Sequence, residues 1–137
     1  MLKSYLGLQQ DELEKLGQER RRLREIALQE EQRAHKLQEV IAALRPGAEP
    51  FHPLLWQNRQ QMDGQLRKML SHQVQQSTLA RMDLDHHEGV MRQQVGRVKG
   101  LELLLARRAA QGQQQQEKRD QHQLDELASL RYLARGG

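Results

Sequence analysis

Counted from Leu2 in alternating steps of four and three, the chain lines up Leu2, Leu6, Gln9, Leu13, Leu16, Arg20, Leu23, Ala27, Glu30, Ala34, Leu37, Ile41 and Leu44. Ten of these thirteen are apolar, which is the seam of a coiled coil. Ile26, Leu28 and Val40 widen the stripe. Gln9, Arg20 and Glu30 are polar where a partner helix belongs, and either fix its register or mark loose points. The pattern then stops at RPGAEPFHP, residues 45–53, which holds all three prolines. Proline removes a backbone donor and disfavours helix in the residue before it, so no helix runs through this stretch.

Helix resumes near Leu54 and meets no further proline, although Gly64, Gly89, Gly96, Gly100 and Gly112 weaken it by roughly 1 kcal/mol each relative to alanine. Its seam is counted as Leu70, Val74, Ser77, Arg81, Leu84, Glu88, Met91, Val95, Val98, Glu102, Leu105 and Ala109, eight of twelve apolar. The expected fold is therefore all-α: a long antiparallel two-helix coiled coil, a helical hairpin with an overhanging C-terminal helix. Residues 1–137 form a single stalk, with helix over 2–45, turn over 46–53 and helix over 54–134. A turn centred near Ala48 and Glu49 puts residues opposite each other when their numbers add to roughly 98. Leu2 then faces the neighbourhood of Gly96, and everything beyond about Gly100 lacks a partner within the chain.

That overhang carries LELLLA (101–106) and LDELASLRYLA (124–134), apolar positions that require another surface. The same holds near the turn. In WQNRQQMDGQLRKML (56–70), Met62, Leu66 and Met69 form a stripe of their own if Leu70 and Val74 begin the intramolecular seam. Methionine, flexible and polarisable, suits an adaptable contact surface. The plainer reading is one broad core face, with the hairpin dimerising or forming a bundle.

Composition narrows the choice. Only 36% of residues are hydrophobic and 3% aromatic, too little bulk for a layered globular core. Glutamine is as frequent as lysine and arginine together, and the remainder is mostly good helix former. The absence of cysteine excludes disulfides, thiolate metal sites and a cysteine nucleophile. MLKSYLGL turns polar too early for a signal peptide, and no apolar run approaches the roughly 20 residues of a membrane span. The net charge of +4 is modest and both signs alternate along the chain.

Candidate chemistry is sparse. Asp83 and His87 in DLDHHE are spaced for one helix face, but no third metal ligand lies at defined spacing. No phosphate-cradling loop or Ser-His-Asp arrangement is present, so no enzyme activity, metal or cofactor is expected. The basic run GQERRRLRE (17–25) can bind phosphate through Arg21, Arg22 and Arg24, or pair with carboxylates on the helix surface; pairing is the favoured reading. A nucleic-acid-binding coiled coil using Arg20 to Arg24 would lose affinity steeply with salt. QGQQQQ (111–116) is either a hinge or a soluble helical turn.

Two stretches resemble the FliJ family, small cytoplasmic components of the bacterial flagellar type III export apparatus related to the YscO-type proteins of injectisomes. The resemblance rests on Trp56, Asn58, Gln60, Gln61, Met62, Leu66 and Lys68 near the turn. At the other end it rests on Lys118, Arg119, Leu124, Asp125, Glu126, Leu127 and Ala128. It implies a monomeric, non-enzymatic stalk, similar to that of rotary ATPases, peripheral to the inner membrane and serving motility and chemotaxis. Its implied partners are the hexameric export ATPase, which it binds and stimulates, the cytoplasmic domain of the export gate protein, and export chaperones, with no nucleic acid. Carried over by position, Trp56, Met62, Leu66, Met69 and Gln73 fall on the gate-contacting face, where methionines replace the family's usual aromatic and small residues. Lys118, Arg119, Leu124, Asp125, Glu126 and Leu127 fall in the motif for the ATPase ring.

Overall fold

A computed structural model describes residues 1–44 and 52–136. Two long helices pack against each other as a helical hairpin: α1, Leu2–Ala43, and α2, Pro53–Gly136. The expected turn at 46–53 lies outside the described residues except for its last two positions, as does Arg45. Those two open α2. The His52 ring Nδ1 accepts from the Leu55 backbone N–H at 3.5 Å, and Trp56 N donates to the His52 carbonyl at 2.9 Å. Pro53 is the first helical residue, where its missing N–H leaves nothing unsatisfied and its fixed φ suits the helix. The glycines of α2 are absorbed without a break, and none has positive φ.

The chain divides into two compact units, Met1–Asp11 with Gln94–Gly137, and Glu12–Gln93. In the second, Ala27, Ala80 and Leu84 form the buried cluster, with Leu23 and Ile26 packed against it. Alanine at these positions allows the helices to approach closely. Side chains of α2 thus reach the backbone of α1: Gln73 Nε2 donates to the Glu30 carbonyl at 3.2 Å and also to the Glu30 carboxylate. The His87 Nε2 lies 2.7 Å from the Leu16 carbonyl oxygen. In the first unit, Gln94, only 5% exposed, donates to the Gln9 carbonyl at 2.9 Å and to its Oε1 at 2.8 Å.

The residue numbers of each of these pairs add to 103. Along one edge, Gln10 with Glu102, Arg24 with Glu88 and Glu31 with Arg81 add to 112. Between them, Leu23 with Leu84 and Ala27 with Ala80 add to 107. The register centres on 107, so the expected value of 98 is corrected by about nine residues, some 13 Å of helix. The physical reason lies at the start of α2. With Pro53 as its first turn, α2 begins well before the residue opposite the end of α1, which is near Gly64.

Every one of the thirteen α1 seam positions is buried or half-buried, whereas Leu28 and Val40, expected to widen the seam, are 55% and 47% exposed. In α2, Leu70, Ser77, Leu84, Met91, Val98 and Leu105 are on the seam as counted. The alternate positions lie one residue earlier than expected, at Gln73, Ala80, His87, Gln94 and Leu101. Val74 is 43% exposed, and Arg81, Glu102 and Ala109 are exposed. Leu101 and Leu105 are half-buried, in register with Leu6 and Leu2, so the unpartnered segment begins near Ala106 and not at Gly100. From there to Gly136 every residue is exposed.

The large apolar side chain most fully enclosed is Leu84, 4% exposed. Leu84→Ala is expected to lower the unfolding free energy by about 2–4 kcal/mol, and Leu79→Ala, on the outside of the same helix, by less than about 0.5 kcal/mol. Urea unfolding followed by far-ultraviolet circular dichroism measures both.

Candidate functional site

Near the start of α2 the exposed apolar side chains are Leu54, Leu55, Trp56, Met62 and Met69, the last two 51% and 55% exposed. Leu55, Met62 and Met69 recur every seven residues and so share one side of the helix. The five residues expected on the gate face do not all join them. Trp56 is about half exposed, Met62 and Met69 are open to solvent, and Leu66 is half-buried at a seam position. Gln73 is turned into the seam by its bonds to Glu30. The stripe is therefore an exposed methionine edge beside the seam, not a face separate from it. The alternate seam positions explain why: Gln73 takes the inside place that counting gave to Val74.

At the other end, Lys118, Arg119, Leu124, Asp125, Glu126 and Leu127 are all exposed on the unpartnered part of α2. Leu124 and Leu127 are 61% and 56% exposed, and with Ala128, Arg131 and Tyr132 they line an open, largely apolar depression. Arg131 and Tyr132 were not singled out by motif. Their signal was helical spacing, Tyr132 lying eight residues from Leu124. The helix between this segment and the seam is laced by side-chain pairs four residues apart. Gln113 donates to Glu117 at 3.5 Å, Gln116 to Asp120 at 3.1 Å and Gln121 to Asp125 at 3.3 Å. His122 Nε2 lies 3.2 Å from Glu126. Pairs of this kind support an isolated helix, and QGQQQQ is helical throughout.

Of the four arginines in the basic run, Arg20, Arg22 and Arg24 meet carboxylates. Arg22 Nε donates to Glu19 at 3.0 Å; that hydrogen bond holds the Glu19 carboxyl below the usual carboxylate range and raises Arg22 in turn. Arg24 lies 3.9 Å from Glu88. Arg20 Nε, buried and without a hydrogen-bond acceptor, has Glu88 at 3.5 Å as its counter-charge. The Asp83 and His87 pair is separated in function: Asp83 is exposed, while the His87 ring meets the Leu16 carbonyl. Among the described residues no group of three or more His, Asp or Glu side chains could hold a metal ion. Among the same residues no helix is long and apolar enough to cross a membrane.

The molecule thus offers two uncovered apolar segments on one helix and, among its described residues, no cluster of metal-ligating groups. No curated protein and no solved structure matches the chain. A family model described as flagellar FliJ protein matches residues 1–137, its whole length. The chain accordingly belongs to the FliJ family and is a component of flagellar type III protein export.

Proposed function

We propose that this chain is a non-enzymatic stalk that binds and stimulates the hexameric export ATPase, links it to the cytoplasmic domain of the export gate protein, and escorts export chaperones. One observation carries the reading: α2, 84 residues against the 42 of α1, carries exposed apolar side chains beyond the start of α1, at Leu124 to Leu133, and on an edge beside its first seam positions, at Leu55, Met62 and Met69. A surface of that kind in contact with water is favourable only if a partner removes it. The segment from Leu124 to Leu133, with Lys118, Arg119, Asp125 and Glu126 around it, is the ring contact. The Met62 and Met69 edge, with Trp56 before it, is the gate contact, flanked by the half-buried Leu66 and Gln73.

The mechanism on this reading is mechanical and allosteric, with no bond made or broken by the stalk. The i,i+4 pairs between 113 and 126 keep the ring segment helical before it meets its partner. Ordering entropy, on the order of 1–2 kcal/mol per residue for a free chain, is then not lost at the moment of binding. The membrane association is peripheral and arises through the gate protein.

Met62→Asp with Met69→Asp should leave helicity and unfolding midpoint unchanged while weakening binding to the gate domain by roughly ten-fold or more. Calorimetric titration checks this, and full binding by the double variant would remove the gate assignment. Removal of residues 124–137 should abolish stimulation of the export ATPase in a phosphate-release assay without shifting the melting of the paired helices. Stimulation that survives the truncation would place the ring contact elsewhere.

A further inference from the structure

The seam that pairs α2 with α1 does not continue into the overhang. Counted on from Leu105, its next positions are Arg108, Gly112, Gln115, Arg119, His122 and Glu126, none of them a hydrophobic side chain. A second stripe takes over on another side of the helix: Glu117, Asp120, Leu124, Leu127, Arg131 and Ala134, again in steps of three and four. All six are exposed. Leu124, Leu127 and Arg131 line the open depression described above, with the small Ala128 beside them. Asp120 accepts from Gln116 of its own helix, but neither Asp120 nor Arg131 has an ion-pair partner among the described residues.

Reversed, the stripe is complementary to itself. In an antiparallel alignment whose residue numbers add to 251, Leu124 of one copy meets Leu127 of the other, Asp120 meets Arg131, and Glu117 meets Ala134, next to Arg135. We propose that in the free chain this stripe is covered by the same stripe of a second copy, antiparallel about a two-fold axis between Asp125 and Glu126. Both ends of the pairing then carry the same contacts, as closed two-fold association requires. Charge selects the orientation. A parallel pair would set Asp120 against Asp120 and Arg131 against Arg131, and a slip by one heptad would break both ion pairs. Two leucines from each copy along about 27 Å of helix make a small interface, so the pairing is weak and reversible. It uses the segment assigned to the ring, so the dimer and a ring-bound chain exclude each other, but the pairing does not depend on that assignment.

Sedimentation velocity of the full chain should show a monomer–dimer equilibrium that moves to dimer as the concentration is raised to about 0.5 mM. Asp120→Arg alone and Arg131→Asp alone should each raise the dissociation constant roughly ten-fold or more, because both charged contacts become like against like. An equimolar mixture of these two variants should recover the dimer to within about two-fold, since each mixed pair sets opposite charges at both contacts. Leu124→Ser with Leu127→Ser should abolish the dimer, and Leu133→Ser, on the opposite side of the helix, should leave it unchanged. Circular dichroism verifies that each variant keeps its helix, and the mixed charge variants decide the matter should the serine variant lose it. A monomer at every concentration, a dimer indifferent to the charge reversals, or a mixture that fails to recover would overturn the proposal. None of these results touches the ring reading, which removal of residues 124–137 tests in the ATPase assay.

Discussion

Two helices that meet through alanines and half-buried leucines can slide along each other with little change in buried area. Directional bonds must then decide where they stop. Here they run from amide and imidazole side chains of α2 to backbone carbonyls of α1, at Glu30, Leu16 and Gln9. Each bond adds only about 0.5–1.5 kcal/mol net, but a slipped helix would leave a buried amide such as Gln94 without its partner, at a cost of about 1–3 kcal/mol. The spacing of seven and fourteen residues repeats in step with the seam. The edge pairs Arg24 with the half-buried Glu88 and Glu31 with Arg81 lie at the surface and contribute less, but a shift by one heptad would pull them apart as well.

The consequences of this register extend to function. It decides which residues of α2 are covered by α1 and which stay exposed. The end of α1 lies opposite Gly64, and Leu54 and Leu55, which precede it on α2, are exposed. The start of α1 lies opposite Leu105, so the helix beyond it carries its leucines in the open. The polar seam residues thus do two things: they lower the apolar content of an already thin core, and they place the uncovered surfaces. Family membership then gives those surfaces a setting in flagellar protein export.

Much of this was legible in the sequence. The α1 seam could be counted because leucines mark it strongly, and even its polar members Gln9, Arg20 and Glu30 took the inside positions that spacing required. The α2 seam was legible at every other position only. At 73 and 74, and again at 94 and 95, glutamine precedes valine, and apolar counting selects the valine. The structure selects the glutamine because Glu30 and Gln9 wait opposite it, a pairing invisible until the register is known. The register is not legible in the sequence, because the prolines mark a break without marking its centre, whereas His52 and Pro53 already start the second helix. Met62 and Met69 stand open as their spacing suggested, while Leu66 and Gln73 belong to the seam for the same reason of register.

The register can be measured directly, since the chain has no cysteine of its own. Leu23→Cys paired with Leu84→Cys places thiols in the central layer, and mild oxidation of the dilute protein should close an intramolecular disulfide rapidly. Leu23→Cys paired with Val74→Cys samples the alignment of a symmetric turn and should remain reduced. Closure of the second pair in preference to the first would contradict the account, because α1 would then cover a different stretch of α2 and the uncovered surfaces would lie elsewhere.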